Sequence, residues 1–178
     1  MSELREPKPV RLIAGIIYKP DSRLDDCIES LGARFGEINF ISDALPFKNT
    51  KYYEDEMGLD LERKIIAFEK LIRRQDIADA KIFTNKLEKV YSYGNKRTIN
   101  IDPGYIAQEH LILATGKGYS HRPYIGKGVY ADLTLLYVND EFRPLEWTYP
   151  DYKTPEVRGL FKRLRQEYAN QLKEEPDL

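Results

Sequence analysis

The sequence contains very little of what disulfide frameworks and metal centres need. Its 178 residues include a single cysteine, Cys27, and two histidines, His110 and His121. One cysteine excludes an intramolecular disulfide, and two histidines are too few for a metal site built only from nitrogen and sulfur ligands. Cys27 falls beside the apolar stripe of a predicted helix, so we expect an inert thiol in the core.

Long apolar runs and an excess of one charge are also missing. No stretch approaches the roughly 18 apolar residues that a membrane-spanning helix needs, and the polar N-terminus lacks the apolar segment of a signal peptide. The 28 basic and 29 acidic residues give a net charge of −1, so the overall charge offers no reason to expect DNA or a membrane as a partner. We therefore expect a cytoplasmic protein in which any anion binding is local.

The chain does have enough apolar residues for a core. Hydrophobic residues make up 42 % of the sequence and aromatic residues 12 %, which argues against disorder. A single domain over residues 1–178 is the simplest organisation, with a flexible polar lead-in at 1–9 and a frayed tail at 174–178.

Hydrophobic patterning predicts alternating strands and helices in the first hundred residues. Val10–Tyr18 is a nearly continuous apolar run of strand length. Apolar residues at three-to-four spacing predict one helix with Asp21 or Ser22 as its N-cap, an apolar stripe from Leu24 to Phe35 and Gly36 as its stop. They predict another helix from Asp76 to Gly94-Asn95. Leu61–Ile72 fits a strand or a helix, and we favour a strand. Further strands are predicted at Glu37–Phe47 and Arg97–Ile101, and a type II turn at Asp102-Pro103-Gly104-Tyr105.

The remaining sequence predicts two more strands, over Val129–Tyr137 and Phe142–Tyr149, and a last helix that begins at Thr154-Pro155. The element order is therefore β-α-β-β-α-β followed by strands and a helix. This order predicts an α+β fold with a ferredoxin-like core, extra antiparallel strands and a C-terminal helix.

The strongest candidate for a binding site is a glycine-rich loop within Leu111–Tyr137, which carries Lys117, His121, Arg122 and Lys127. Glycines let a backbone approach a ligand, and Lys and Arg supply charge for phosphate or carboxylate. His121 can transfer a proton near neutral pH. The loop is neither a P-loop nor a Rossmann fingerprint, because GxxxxGK[ST] is absent and a strand follows instead of a helix. The alternative is an exposed hairpin loop with solvated charges.

Side chains elsewhere are further candidates. Asn85 and Glu88 lie one turn apart on a predicted helix and suit a hydroxyl, a base edge or Mg²⁺, so magnesium is the candidate metal. The alternative is an ordinary polar helix face. Asp102 is a candidate acid or base, although its predicted turn also explains it. Tyr53 can stack on a ligand ring, with simple packing as the alternative. A polar-aromatic cluster near the last helix can wall a ligand pocket or merely anchor that helix; its members are Trp147, Thr148, Tyr149, Asp151 and Tyr152.

Five segments together resemble one known family. They are YYEDEMG (52–58), TNKLE (84–88), IDPGY (101–105), LATGKGYSHR (113–122) and WTYPDY (147–152). The combination is similar, over nearly the whole chain, to a small prokaryotic family called domain of unknown function number 4416. Some members carry the label GTP-binding protein, which implies a purine nucleotide ligand. The P-loop is missing and Glu88 stands where the NKxD motif has Asp, so the resemblance implies a binding mode unlike that of P-loop GTPases.

The leading hypothesis is binding of a small anionic, phosphorylated ligand, with a nucleotide as one form. Lys117, His121 and Arg122 would hold its anionic group. If the protein is an enzyme, phosphoester hydrolysis or transfer is the expected reaction, with His121, Glu88 and Asp102 as catalytic candidates.

Two hypotheses of other classes stay open. The first is a non-enzymatic interaction or homodimeric assembly protein that uses exposed tyrosines, namely Tyr52, Tyr53, Tyr149 and Tyr152. The second is RNA binding through the basic last helix and exposed aromatic residues.

Overall fold

The structure is a computed structural model that describes residues 3–47, 53–94 and 96–174, without the side chains of residues 54 and 55. Its strands are β1 (Val10–Tyr18), β2 (Ile38–Ile41), β3 (Leu45–Pro46), β4 (Glu62–Ile72), β5 (Ser92–Tyr93), β6 (Lys96–Arg97), β7 (Ile99–Ile106), β8 (His110–Thr115), β9 (Tyr124–Gly126), β10 (Val129–Val138) and β11 (Glu141–Pro144). Its helices are α1 (Leu24–Phe35), α2 (Glu54–Met57), α3 (Ile77–Val90) and α4 (Pro155–Glu174).

One antiparallel sheet with the order β11-β10-β8-β7-β1-β4-β2 forms the middle of the molecule. All nine residues of β1 are buried, because both faces of this central strand are covered. Leu12, Ala14 and Ile16 pack in one apolar cluster with residues of α1 and α3, whereas Ile13 packs in a second cluster with α4. The α+β prediction is therefore confirmed, as a sheet with two helices on one face and the C-terminal helix on the other.

Several predicted elements are confirmed because strong apolar patterns define them. β1 has the predicted bounds, and α1 stops before Gly36 as predicted, since the φ of 103° at Gly36 is a conformation that glycine adopts easily. The predicted N-cap of α1 at Asp21 or Ser22 is wrong, because the helix begins at Leu24 and Arg23 precedes it without a side-chain cap. β4 confirms the strand interpretation of the ambiguous segment. The thiol of Cys27 is buried in the cluster beneath α1, and burial raises its pKa to about 12, as expected for an inert core cysteine.

The strand predicted at Glu37–Phe47 is interrupted, and β2 and β3 are its two remnants. Ser42 lies between them and explains the interruption. Its hydroxyl oxygen accepts the backbone N–H of Ile65 at 2.9 Å, so a side chain takes the position of a ladder carbonyl.

The type II turn predicted at Asp102–Tyr105 is wrong, because these residues lie inside β7 and pair with β1. The second predicted helix ends at Val90, before Gly94, which lies in the β5–β6 hairpin. The strand predicted at Phe142–Tyr149 is shortened to β11. Residues 3–9 form neither helix nor strand, and residues 1–2, 175–178, Tyr52 and Asn95 lie outside the described residues.

None of the helices in the described ranges combines the length and the apolarity that crossing a bilayer requires. The longest of them, α4, carries charged residues along its exposed side and packs on the sheet through its other side.

The first residue of β8, His110, gives the fold a dependence on pH. Its Nε2 is buried without a hydrogen-bond partner in the described part of the chain. Burial is the main cause that lowers its pKa, and the positive charge of Arg74 lowers it further. The folded protein therefore takes up this proton less readily than the unfolded chain, whose histidine titrates near about 6.5. We expect the free energy of unfolding to decrease as the pH falls through that value.

Urea unfolding at a series of pH values between about 5.5 and 7.5 measures this effect. His110→Gln removes the titrating group, so its free energy of unfolding should decrease less over the same range. Equal pH slopes for the two proteins would contradict the assignment.

Candidate functional site

The central sheet opens between β7 and β8. The two strands pair only from Gly104 to Ile106, opposite Leu111 to Leu113. On their outer sides both strands stay paired further, since β1 pairs with β7 as far as Ile99 and β10 pairs with β8 as far as Thr115. The sheet therefore divides into two arms that diverge from a three-residue hairpin ladder.

The dipeptide Pro103-Gly104 explains where the opening begins. Pro103 has no N–H to offer to a neighbouring strand, and pairing with β8 stops beside it. Gly104 is the last paired residue, and a Cβ there would overlap the backbone carbonyl oxygen of Ile112. A glycine is therefore required for the close approach that precedes the opening.

A cavity of about 690 Å³ fills the opening, within the range that is usual for small-molecule sites. From one face of the sheet, α3 contributes Lys81, Asn85 and Glu88 to its lining. From the other face, the segment Tyr149–Tyr152 contributes, and Asp132 of β10 lines it as well. Because its walls come from both faces, the cavity extends through the sheet.

An ion-pair network closes one end of the cavity. The guanidinium of Arg97 donates to both carboxylate oxygens of Glu56 at 2.6 and 2.7 Å, to Glu88 at 3.1 Å and to the Asn100 side chain at 2.7 Å. Asn100 in turn donates to Asp102 at 2.9 Å. This network fixes α2 and α3 to the start of β7.

Glu88, a catalytic candidate from the sequence, lies inside this network. Its Oε1 accepts the backbone N–H of Ile101 at 2.7 Å while its Oε2 binds Arg97. Burial is the main cause that raises its pKa above the usual value for glutamate. The side chain lines the cavity but is committed to holding α3 against β7.

Lys81 and Asp102 are neighbouring residues of the cavity lining. Lys81 is 7 % exposed, and its Nζ donates to the carbonyl of Ile101 at 3.0 Å. The Asp102 carboxylate lies 3.7 Å from the same nitrogen, beyond hydrogen-bonding distance. Asn85, one turn after Lys81 on α3, also lines the cavity, and its side chain makes no hydrogen bond to the described residues.

The far end of the cavity is built by Arg63 and Tyr152. Arg63 forms a buried ion pair with Asp151, and its guanidinium lies between the rings of Phe47 and Tyr152, 4.9 Å from each centroid. Tyr53 lines the cavity next to Phe47, whose ring it contacts edge-on with 5.8 Å between centroids. Tyr152 itself is buried, which contradicts its expected place on an exposed contact surface.

Lys117 is the one candidate from the glycine-rich loop that lines the cavity; His121, Arg122 and Lys127 lie outside the lining. The Nε of Arg122 donates to Asp132 at 2.7 Å, and one of its terminal nitrogens donates to the Tyr149 hydroxyl at 2.9 Å. The Nε2 of His121 lies 3.8 Å from the same Asp132 carboxylate. Asp132 therefore separates this pair of side chains from the cavity.

Two candidates lie further out. Trp147 is half-exposed, stacks on the His121 ring at 4.7 Å between centroids, and donates to the carbonyl of Leu133 at 2.8 Å. Lys127 forms an exposed ion pair with Asp79. Neither side chain belongs to the cavity lining.

Sequence reasoning missed Arg63 as a site residue and treated Lys81 only as a neighbour, whereas Tyr149, Asp151 and Tyr152 of the expected pocket-wall cluster do line the cavity. A signal for Lys81 did exist, because Lys81, Asn85 and Glu88 are spaced by four and three residues and share one helix face. Nothing local marks Arg63, since a charged residue in an alternating strand usually faces solvent.

Among the described side chains, no group of three or more His, Cys, Asp or Glu residues is arranged to hold a metal ion. The expected magnesium ion is therefore left without support from a carboxylate cluster in the described residues.

Comparison with known proteins identifies one family. The sequence profile of the family Domain of unknown function (DUF4416) matches residues 8–168, which is most of the chain. No curated protein and no solved structure matches significantly. The matched range includes every element that lines the cavity.

Proposed function

We propose that this chain, which belongs to the DUF4416 family, binds a small phosphorylated ligand in the cavity between β7 and β8. The observation that carries the proposal is the buried ammonium group of Lys81. It lines a cavity of ligand size and makes one hydrogen bond within the described part of the protein. An ammonium has three protons, so donors remain for a ligand oxygen.

The pairing of the acidic side chains supports an anionic ligand. Four basic and four acidic residues line the cavity among those described. Each acidic group already accepts a hydrogen bond from the protein: Glu88 from Arg97, Asp102 from Asn100, Asp132 from Arg122 and Asp151 from Arg63. Lys81 has no such hydrogen-bonded carboxylate, because Asp102 is 3.7 Å away. Lys81 therefore keeps hydrogen-bond donors for an added anion, although the Asp102 carboxylate offsets part of its charge.

The shape of the cavity is compatible with a nucleotide as well as with a smaller phosphate ester. Tyr53 and Tyr149 line it and offer aromatic surface for a ring. If the site is catalytic, phosphoester hydrolysis or transfer is the reaction class that fits such a ligand, and Asp102 is the carboxylate closest to the proposed phosphate position.

We also infer that β1, α1, β2, β4, α3 and β7 form a ferredoxin-like core. Their strands have the order β7-β1-β4-β2 and are all antiparallel, and both helices contribute to the same apolar cluster. These features match the expected β-α-β-β-α-β arrangement with two helices on one face.

The test is a melting-temperature screen with nucleotides, sugar phosphates and inorganic phosphate, each with and without magnesium. A ligand at 100 times its Kd stabilises the folded state by about 2.7 kcal/mol, which is a shift of about 5–10 °C at this chain length. Lys81→Met keeps the length of the side chain and removes the charge. We expect this variant to lose at least about tenfold in affinity, or 1.4 kcal/mol.

Lys86→Met is the matched control, because Lys86 is exposed on the same helix and does not line the cavity. Each shift is measured against the melting temperature of the same variant without ligand, which removes any effect on stability. Ligand shifts that are equal in Lys81→Met and the unsubstituted protein would refute the proposed site.

Assembly through exposed aromatic residues is the second candidate. Tyr119, Tyr124 and Trp147 are 70, 62 and 40 % exposed and lie on or near the glycine-rich loop, which favours a contact there. A monomer by gel filtration would count against it. RNA binding receives less support, because several basic side chains of α4 are bound within the protein, for example Arg165 to the Gln108 carbonyl and Lys162 to Asp140.

A further inference from the structure

Tyr152 carries a buried hydroxyl without a partner. The side chain is 1 % exposed, and its Oη makes no hydrogen bond to any described residue. Its ring is fixed between the parallel ring of Phe161, 5.7 Å away, and the guanidinium of Arg63. A Cβ on Gly15 would lie 2.8 Å from the Oη, so the hydroxyl occupies space that the glycine leaves open. An unpaired hydroxyl inside a protein is costly, which makes this position notable.

The carboxylate of Asp102 shares this part of the cavity. Asp102 is paired with Gly15 in the β1–β7 ladder, and both Asp102 and Tyr152 line the cavity. Burial raises the pKa of Tyr152 and outweighs the positive charge of Arg63, which lowers it, while the negative charge of Asp102 raises it further. The hydroxyl therefore keeps its proton and can donate it. The Asp102 carboxylate accepts one hydrogen bond, from Asn100, and its remaining lone pairs can accept more.

We propose that the ligand of this cavity is a phosphorylated polyol, such as a sugar phosphate, with a hydroxyl group that accepts a hydrogen bond from Tyr152 and donates one to Asp102. The inference rests on the proposed function, because Lys81 holds the phosphate. A hydroxyl is a small neutral group that can accept and donate at a single atom. A carbonyl would give the Asp102 carboxylate no donor, and a second phosphate would lack the ammonium that Lys81 supplies to the first.

The two contacts lie on opposite faces of the sheet. Lys81 reaches the cavity from α3, whereas Tyr152 belongs to the segment that precedes α4. The ligand therefore passes through the opening between β7 and β8, with its phosphate toward α3 and its hydroxyl end toward α4. Binding would join the two arms of the sheet.

Calorimetry with matched probes tests the inference. The hydroxylated probes are glycerol 3-phosphate, ribose 5-phosphate and glucose 6-phosphate, and the probes without an alcohol group are n-propyl phosphate and inorganic phosphate. We expect at least one hydroxylated probe to bind about tenfold more tightly than n-propyl phosphate, since a site built to hydrogen-bond a hydroxyl discriminates against its absence. Tyr152→Phe should remove this preference and leave the affinity for n-propyl phosphate unchanged.

Stability without ligand gives a second measurement. Tyr152→Phe removes an unpaired hydroxyl, so its melting temperature should equal or exceed that of the unsubstituted protein. Tyr168→Phe is the control, because the Tyr168 hydroxyl donates to the Pro9 carbonyl at 2.7 Å. Its melting temperature should fall by about 2–4 °C.

The outcomes separate the two proposals. If no phosphorylated probe binds, the proposed function fails and this inference fails with it. If the probes bind but the preference for hydroxylated ones is absent, or persists in Tyr152→Phe, only this inference is overturned. A melting temperature of Tyr152→Phe that falls as far as that of Tyr168→Phe would show an internal partner for the hydroxyl and would also overturn it.

Discussion

Replacing Gly104 by alanine should destabilise the protein more than any other single methyl addition at a glycine that we consider. The added Cβ overlaps the Ile112 carbonyl oxygen and also meets the Leu113 side chain at 2.8 Å. The carbonyl belongs to the paired neighbouring strand and can move only if the β7–β8 ladder moves. We expect a loss of about 3 kcal/mol or more in the free energy of unfolding, which lowers the melting temperature by about 6–12 °C.

Gly159→Ala is the matched control, with the opposite expected sign. Gly159 is exposed within α4, and nothing lies within 4 Å of a Cβ placed there. Alanine in a helix interior is more favourable than glycine by about 0.5–1 kcal/mol, so this variant should be slightly more stable. If Gly104→Ala were as stable as Gly159→Ala, the proposed origin of the sheet opening would be wrong.

Arg122→Ala should produce the second large effect. The side chains of Arg122 and Asp132 are 12 and 4 % exposed and form a 2.7 Å ion pair. Removal of the arginine leaves a buried carboxylate whose nearest described basic group is His121 at 3.8 Å. Loss of one partner of a buried pair costs about 3–5 kcal/mol, so we expect a decrease of about 3 kcal/mol in the free energy of unfolding. Urea denaturation measures this quantity directly.

Two further variants distinguish an uncompensated charge from a general defect of the loop. Asp132→Asn in the Arg122→Ala background removes the stranded charge and should recover part of the loss, with a coupling energy of about 1–3 kcal/mol. Lys127→Ala breaks an exposed ion pair of the same loop, with Asp79, and should change stability by less than about 0.5 kcal/mol. Additive effects of the two substitutions at the Arg122–Asp132 pair would contradict the proposed charge coupling.

The sequence predicts the elements whose apolar pattern is strong. β1 has its predicted bounds and α1 covers its predicted apolar stripe, because a continuous apolar run and a three-to-four stripe allow few other structures. The segment containing Pro103-Gly104 was assigned wrongly because its turn signature is a local preference. In the folded chain, pairing of the whole of β7 with β1 outweighs that preference.

For the candidate site, the sequence identifies residues whose neighbours in the chain reveal them. Asn85, Glu88 and Lys117 line the cavity as members of a polar helix face and a cationic loop. Arg63 could not be found in this way, because it meets Tyr152 only after β4 and the segment before α4 pack together. This contact joins residues almost ninety positions apart, and no local pattern encodes it.

The opening in the sheet separates strands that are synthesised early from strands that are synthesised late. The arm β7-β1-β4-β2 is made entirely of residues before 107, and the arm β11-β10-β8 entirely of residues after 109. Later residues then pack back on the first arm: Arg11 donates to the Leu164 carbonyl and to Glu167 of α4, and Arg63 pairs with Asp151. A nascent chain can therefore complete the first arm early, in keeping with N-terminal units that fold during translation. The cavity acquires its second wall only with the last third of the chain, so a bound ligand would stabilise the finished protein and give no assistance to its first folding steps.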